Sequence, residues 1–169
     1  MPIATHHRAR NLQPSRFGHL MDLYAENFAR FQRTFPLQRL PANHWRSSVD
    51  DGLDLHLDVI ERHRYTTEIR LTYDLADPLT GAPDPSAYLR IYHDARLIEV
   101  THCHLGRRWQ DVLGLNPSLA TLVGHRMRMN TFLWKWLDYL SDLGHSPFTL
   151  CMRGDHDDSC PREKVMLPY

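Results

Sequence analysis

Between residues 16 and 35 apolar side chains return at steps of three and four: Phe17, Leu20, Tyr24, Phe28, Phe31 and Phe35. With 3.6 residues per turn, that spacing places them on one stripe of an α-helix. Ser15 stands before the stripe as its predicted N-cap, and Pro36 ends it by holding the preceding residue out of the helical region. From Trp45 the period falls to two, as in a strand with one buried face. Trp45, Ser47 and Val49 then oppose Leu57, Leu55 and Leu53 across Asp50-Asp51-Gly52, whose glycine suits the left-handed position of a three-residue hairpin loop. Leu53, Leu55, Leu57 and Val59 oppose in turn Leu75, Tyr73, Leu71 and Ile69 if the chain reverses about Arg64. That register pairs Asp58 with Arg70, but it also sets Asp54 against Asp74.

Pro78, Gly81, Pro83 and Pro85 mark residues 77–86 as an irregular crossing loop. The next hairpin is the most fully specified. With Asp94-Ala95 as a two-residue turn, Ile91 meets Ile98, Leu89 meets Val100, and Arg90 meets Glu99 on the other face, although the turn lacks its usual glycine. A short, helix-compatible stretch around Trp109–Leu113 follows. Asn116-Pro117 predicts the start of a second long helix and Leu143-Gly144 its end. Within it Leu122, Met129, Leu133, Trp136, Leu140 and Leu143 form a stripe, widened by Phe132 and Tyr139, and Gly124 is a candidate break. Helix, five tightly connected strands and helix predict an α+β fold: a five-stranded antiparallel meander with both helices on its apolar face. The expected organisation is a flexible N-terminus over 1–14, a single domain over 15–144 and a polar C-terminal tail over 145–169.

Composition removes several function classes. Lys plus Arg equals Asp plus Glu at 20 each, so no whole-chain field draws the protein to nucleic acid or to an anionic membrane. The start lacks the apolar core of a signal peptide, and no run of apolar residues is long enough to span a bilayer, which gives a cytoplasmic expectation. Three cysteines, Cys103, Cys151 and Cys160, are an odd number at no framework spacing and are expected as free thiols. No glycine-rich phosphate loop occurs.

Four pieces of the chain, in order, carry a resemblance: Leu23-Tyr24-Ala25-Glu26-Asn27-Phe28; Arg64-Tyr65-Thr66-Thr67; Leu89-Arg90-Ile91-Tyr92-His93-Asp94-Ala95 with Glu99-Val100; and Asn130-Thr131-Phe132-Leu133 with Trp136-Leu137 and Gly144. From about Met21 to Gly144 the sequence resembles the YqiB-like family of proteobacterial proteins. The resemblance implies a small cytoplasmic bacterial protein of unknown function, and it brings no catalytic residues with it.

Candidate chemistry therefore rests on the residues themselves. Arg64, Tyr65, Tyr92, His93 and Asp94 cluster at two hairpin tips and form the candidate ligand site, since a guanidinium fork and phenols suit an oxyanion. The alternative is a small hydrolase-like or metal-dependent enzyme centred on His93, Asp94 and Glu99, because a carboxylate can orient an imidazole. His102 and His104 share a strand face, and the tail holds Cys151, Asp155, His156, Asp157, Asp158 and Cys160, but neither set has a closed metal-site spacing. No metal and no cofactor are expected. Trp134 and Lys135 fall off the helical stripe and offer a partner surface; Arg126, Arg128 and Arg107-Arg108 offer a basic patch near them. The expectation is a non-catalytic binding or regulatory module for a protein partner or a small anionic ligand, with no membrane contact and nucleic acid disfavoured.

Overall fold

The computed structural model describes residues 15–37, 43–49, 53–73, 75, 81, 86–103 and 116–152, with the Cys103 side chain excepted. Helix α1 spans Arg16–Thr34. Ser15 caps it as predicted, its Oγ accepting the Gly18 N–H at 3.0 Å. Leu20, Tyr24, Phe28, Phe31 and Phe35 of the stripe are buried, whereas Phe17 in the first turn is 59% exposed.

Strands β1 (His44–Ser47), β2 (Leu55–Arg62), β3 (Thr66–Tyr73), β4 (Ser86–Tyr92) and β5 (Leu97–Cys103) form the antiparallel meander. A sixth strand, β6 (Leu150–Met152), pairs with the outer edge of β1, so the order is β5-β4-β3-β2-β1-β6. This corrects the five-stranded expectation, and the added strand lies within the stretch expected as tail. Three residues are too few to show a period-two pattern, and their partner strand lies far away in sequence.

The predicted registers hold where strand forms, while Val49, Leu53 and Leu75 fall outside the paired residues, with Leu53 and Leu75 exposed. Trp45 faces Leu57 and Ser47 faces Leu55; Leu55, Leu57 and Val59 face Tyr73, Leu71 and Ile69; Asp58 faces Arg70. Arg70 binds Asp58 at 2.7 Å, and His44 adds a 2.9 Å contact. Burial alone would push the Asp58 carboxyl up, but these two partners outweigh it and hold the group below its ordinary value. Past Val59 the register slips by one residue and leaves Ile60 unpaired and 53% exposed, so the reversal occupies His63–Tyr65. In the last hairpin Leu89, Arg90 and Ile91 face Val100, Glu99 and Ile98 as predicted, but pairing stops at Tyr92 and Leu97. The two-residue turn is thus a four-residue one over 93–96, with Arg96 at φ 54°. A two-residue type I′ turn needs positive φ at both central residues; without glycine the longer turn confines that strain to one position.

Helix α2 runs unbroken through Gly124 from Leu119 to Asp142. Its N-cap is Ser118, which accepts the Thr121 N–H at 3.2 Å, rather than Asn116. At its end Gly144 adopts φ 96°, with Gly144 N–H on Ser141 O and His145 N–H on Leu140 O, the two bonds of a Schellman stop. The core joins Phe28, Phe31 and Phe35 of α1 and Leu133, Trp136, Leu137 and Leu140 of α2 to the alternate apolar residues of β1 to β5. Phe132 and Tyr139, expected to widen the stripe, are 43% and 54% exposed. Asn27 meets Asn130 and Arg30 meets Asp138, so the two helices run in the same direction.

The Asp50–Gly52 loop, Asp74, most of the 77–86 crossing, the 109–113 stretch, Arg107, Arg108, His104, the N-terminus over 1–14 and the tail from 153 onward lie outside the described residues.

Candidate functional site

The two hairpin tips lie side by side because β3 pairs with β4: Thr66 faces Tyr92, and the His93 N–H donates to Tyr65 O at 2.9 Å. His93 Nε2 sits 2.8 Å from the hydroxyl of buried Thr67, which ties the imidazole to the adjacent strand. Asp94 turns on its own loop and accepts the Ala95 N–H at 2.9 Å. The Arg64 guanidinium lies 5.0 Å from the ring of Tyr65, itself 52% exposed, while Glu61 pairs with His63 at 2.8 Å. The structure therefore joins Tyr65 and His93 through the backbone, leaves Asp94 at the surface and sends Tyr92 elsewhere. No hydrogen bond among the described residues links His93, Asp94 and Glu99 to one another.

Glu99 belongs to a different group. Its carboxylate is nearly buried and accepts from Tyr92 at 2.8 Å, from Tyr24 of α1 at 3.2 Å and from Arg126 of α2 at 2.7 Å. Burial pushes the Tyr24 phenol up to about 12, although Arg126 pulls the other way. Burial and then the Glu99 bond also raise Tyr92. Both phenols therefore keep their protons and donate, so the carboxylate has three donors filling the lone pairs a general base would use. Beside it, Asn130 Oδ1 accepts the Val100 N–H at 3.0 Å where a bulge interrupts the β4–β5 register, and its Nδ2 donates to Arg126 O at 2.8 Å. Asn27 Nδ2 donates in turn to Asn130 O at 3.0 Å. One helix thus closes hydrogen bonds that the edge strand leaves open.

Farther along the two helices, Glu26, Arg30 and Asp138 have partners across the helix pair. Trp134 Nε1 donates to Glu26 at 2.9 Å under the Arg30 guanidinium, 4.3 Å from its ring, and Arg30 pairs with Asp138. The tryptophan expected to face a partner is held between the helices.

Around Gly124 the charges are unmatched. A groove of about 530 Å³ opens there, bordered by Arg16 from the first turn of α1 and by Arg128 and Lys135 from α2. Met127, Thr131 and Phe132 supply the rest of its wall, and among the described residues no acidic side chain lines it. A methyl group placed on Gly124 would lie 3.9 Å from Arg128 Nη1 and 4.0 Å from Arg16 Nη2, so both guanidinium groups border one bare patch of helix backbone. Neither they nor Lys135 forms an ion pair or hydrogen bond among the described residues. The field is felt nearby: burial, then Arg128 and Arg126, depress the His125 pKa. Sequence reasoning placed Arg128 in a basic patch and Lys135 beside Trp134, but it missed Arg16 and the groove. The available signal was a glycine in the interior of an uninterrupted helix, where it costs about 1 kcal/mol relative to alanine.

At the opposite edge, Ser47 Oγ lies 2.7 Å from His145 Nδ1 and 2.6 Å from Thr149 Oγ1, which fastens β6 to β1. Burial pushes His145 down, and its Nε2 is enclosed without a hydrogen-bond partner among the described residues. Cys151 on β6 is disulfide-bonded, which corrects the free-thiol expectation there: an odd count requires only that one thiol be left over. His102 stacks on Tyr88 with ring centroids 3.9 Å apart. Among the described residues no three His, Cys, Asp or Glu side chains gather as a metal site, and no helix is long and apolar enough to cross a membrane.

No curated protein and no solved structure matches this chain. A family model described as a protein of unknown function, DUF1249, matches residues 30–146, a span that takes in the whole β1–β5 meander and α2, and the chain belongs to that family.

Proposed function

We propose that the protein is a non-catalytic binding module for a small anionic ligand, and that the ligand sits in the groove between Arg16, Arg128 and Lys135 rather than at the hairpin tips. The reading takes the two helices as lying over the apolar face of the sheet, with the groove on their outer side. The observation that carries it is the convergence of three cations on one concavity, each without an ion pair among the described residues, while Arg30 and Arg126 on the same helices are paired with Asp138 and Glu99. Like charges held together repel, and an anion relieves that repulsion. The groove volume also falls in the range of small-molecule sites. The engagement of His93 by Thr67, of Asp94 by its turn and of Glu99 by three donors supports structural roles for the alternative catalytic set. YqiB-like kinship and a cytoplasmic setting fit the same reading.

Titration calorimetry with pyrophosphate tests it. Binding should weaken as salt rises and fall at least tenfold in the Arg16→Ala/Arg128→Ala double variant. Binding unchanged in that variant, or none at low salt in the parent protein, would overturn the proposal.

A further inference from the structure

The order of groups along the groove narrows the ligand further, on the premise that the groove binds an anion. At one end two guanidinium groups converge on the same bare backbone at Gly124. A carboxylate carries one charge, whereas a phosphate offers up to two charges and three oxygens to two forks at once. From Arg128 to Lys135 is seven residues of one helix, about 10 Å along its axis at 1.5 Å per residue. Beside these cations the wall carries Met127, Thr131 and Phe132, the phenyl ring 43% exposed and backed by Trp136 at 5.6 Å. An exposed aromatic face supported from behind is a stacking surface for a flat ring, and the methionine adapts to its outline. Inorganic phosphate would leave this wall empty. A long polyanion is disfavoured by the neutral chain, since Arg plus Lys equals Asp plus Glu at 20 each.

We infer that the groove binds a phosphate ester of a flat, ring-bearing group, a nucleoside phosphate in chemical class, with its phosphate at Arg16 and Arg128 and its ring on Phe132. Gly124 keeps the phosphate end open, because any side chain there projects between the two arginines.

Calorimetry on the full chain with adenosine 5′-diphosphate, pyrophosphate and adenosine tests the inference. The diphosphate ester should bind at least tenfold tighter than pyrophosphate, and adenosine weakest of the three. Phe132→Ala should remove the tenfold advantage while leaving pyrophosphate affinity unchanged. Equal affinities for the ester and pyrophosphate would overturn this inference and leave the anion-binding proposal standing. No binding of either would overturn both. A single-stranded RNA oligonucleotide whose affinity grows steadily with its length would overturn it in favour of a polymer ligand.

Discussion

Where α1 and α2 meet β5, most buried polar atoms are satisfied: Glu99 has three donors, Asn130 serves a strand and its own helix, and Asn27 Nδ2 serves Asn130, although Asn27 Oδ1 is left without a donor among the described residues. Close by on the same two helices, Arg16, Arg128 and Lys135 stand around a glycine with no ion pair or hydrogen bond among the described residues. The first region is explained by folding alone, since each group answers a need created by burying another. The second has no such explanation among the described residues. Cations without ion pairs among the described residues, set around a helix-weakening glycine, are what the proposed anion site would use.

If that contrast is right, stability should track the first region and binding the second. The core beneath both sets the upper scale. Trp136→Ala removes a buried indole packed 5.7 Å from Tyr73 and should cost roughly 3 to 5 kcal/mol in a denaturant melt. Glu99→Ala should cost about 2 to 3 kcal/mol in the same assay, because it strips two phenols and a guanidinium of their acceptor. A loss under 0.5 kcal/mol would break the contrast. Asn130→Ala leaves the Val100 N–H without its acceptor and should cost about 2 kcal/mol; hydrogen exchange at Val100 should accelerate with it. Gly124→Ala should move the other way, gaining about 0.5 to 1 kcal/mol from helix propensity, since the added methyl meets only ordinary contacts. Arg128→Ala, on an exposed side chain without partners, should leave the melt within about 0.5 kcal/mol while abolishing most anion binding. A large loss of stability there would show the arginine to be structural.

Most of the sheet was legible because antiparallel pairing writes itself twice, once in each strand. Leu55, Leu57 and Val59 could find Tyr73, Leu71 and Ile69 from alternation alone, and Arg90 found Glu99 in the same way. Cα register does not settle where long side chains go, however. Arg90 turns to Glu68 across the sheet at 2.8 Å, which frees Glu99 for residues of two distant helices. Strand β6 was hidden because Leu150-Cys151-Met152 has no pattern of its own. The groove was hidden for a related reason: Arg16 and Arg128 are neighbours only after both helices have packed. Gly124 was noticed, but as a break. That the helix passes straight through it is what turns the glycine from punctuation into an opening.

The pairing of β6 with β1 also has a consequence in time. Ser47 and Leu150 are roughly a hundred residues apart, whereas every other strand pair closes a far shorter loop. Contacts of such long separation form late, after the meander has assembled from its local hairpins. Until then β1 is a bare edge whose open N–H and C=O groups can accept a strand from another molecule. The three-residue strand, with its Ser47, His145 and Thr149 fastening, is then a late latch. It sets how long each newly made chain stays vulnerable to edge-to-edge aggregation.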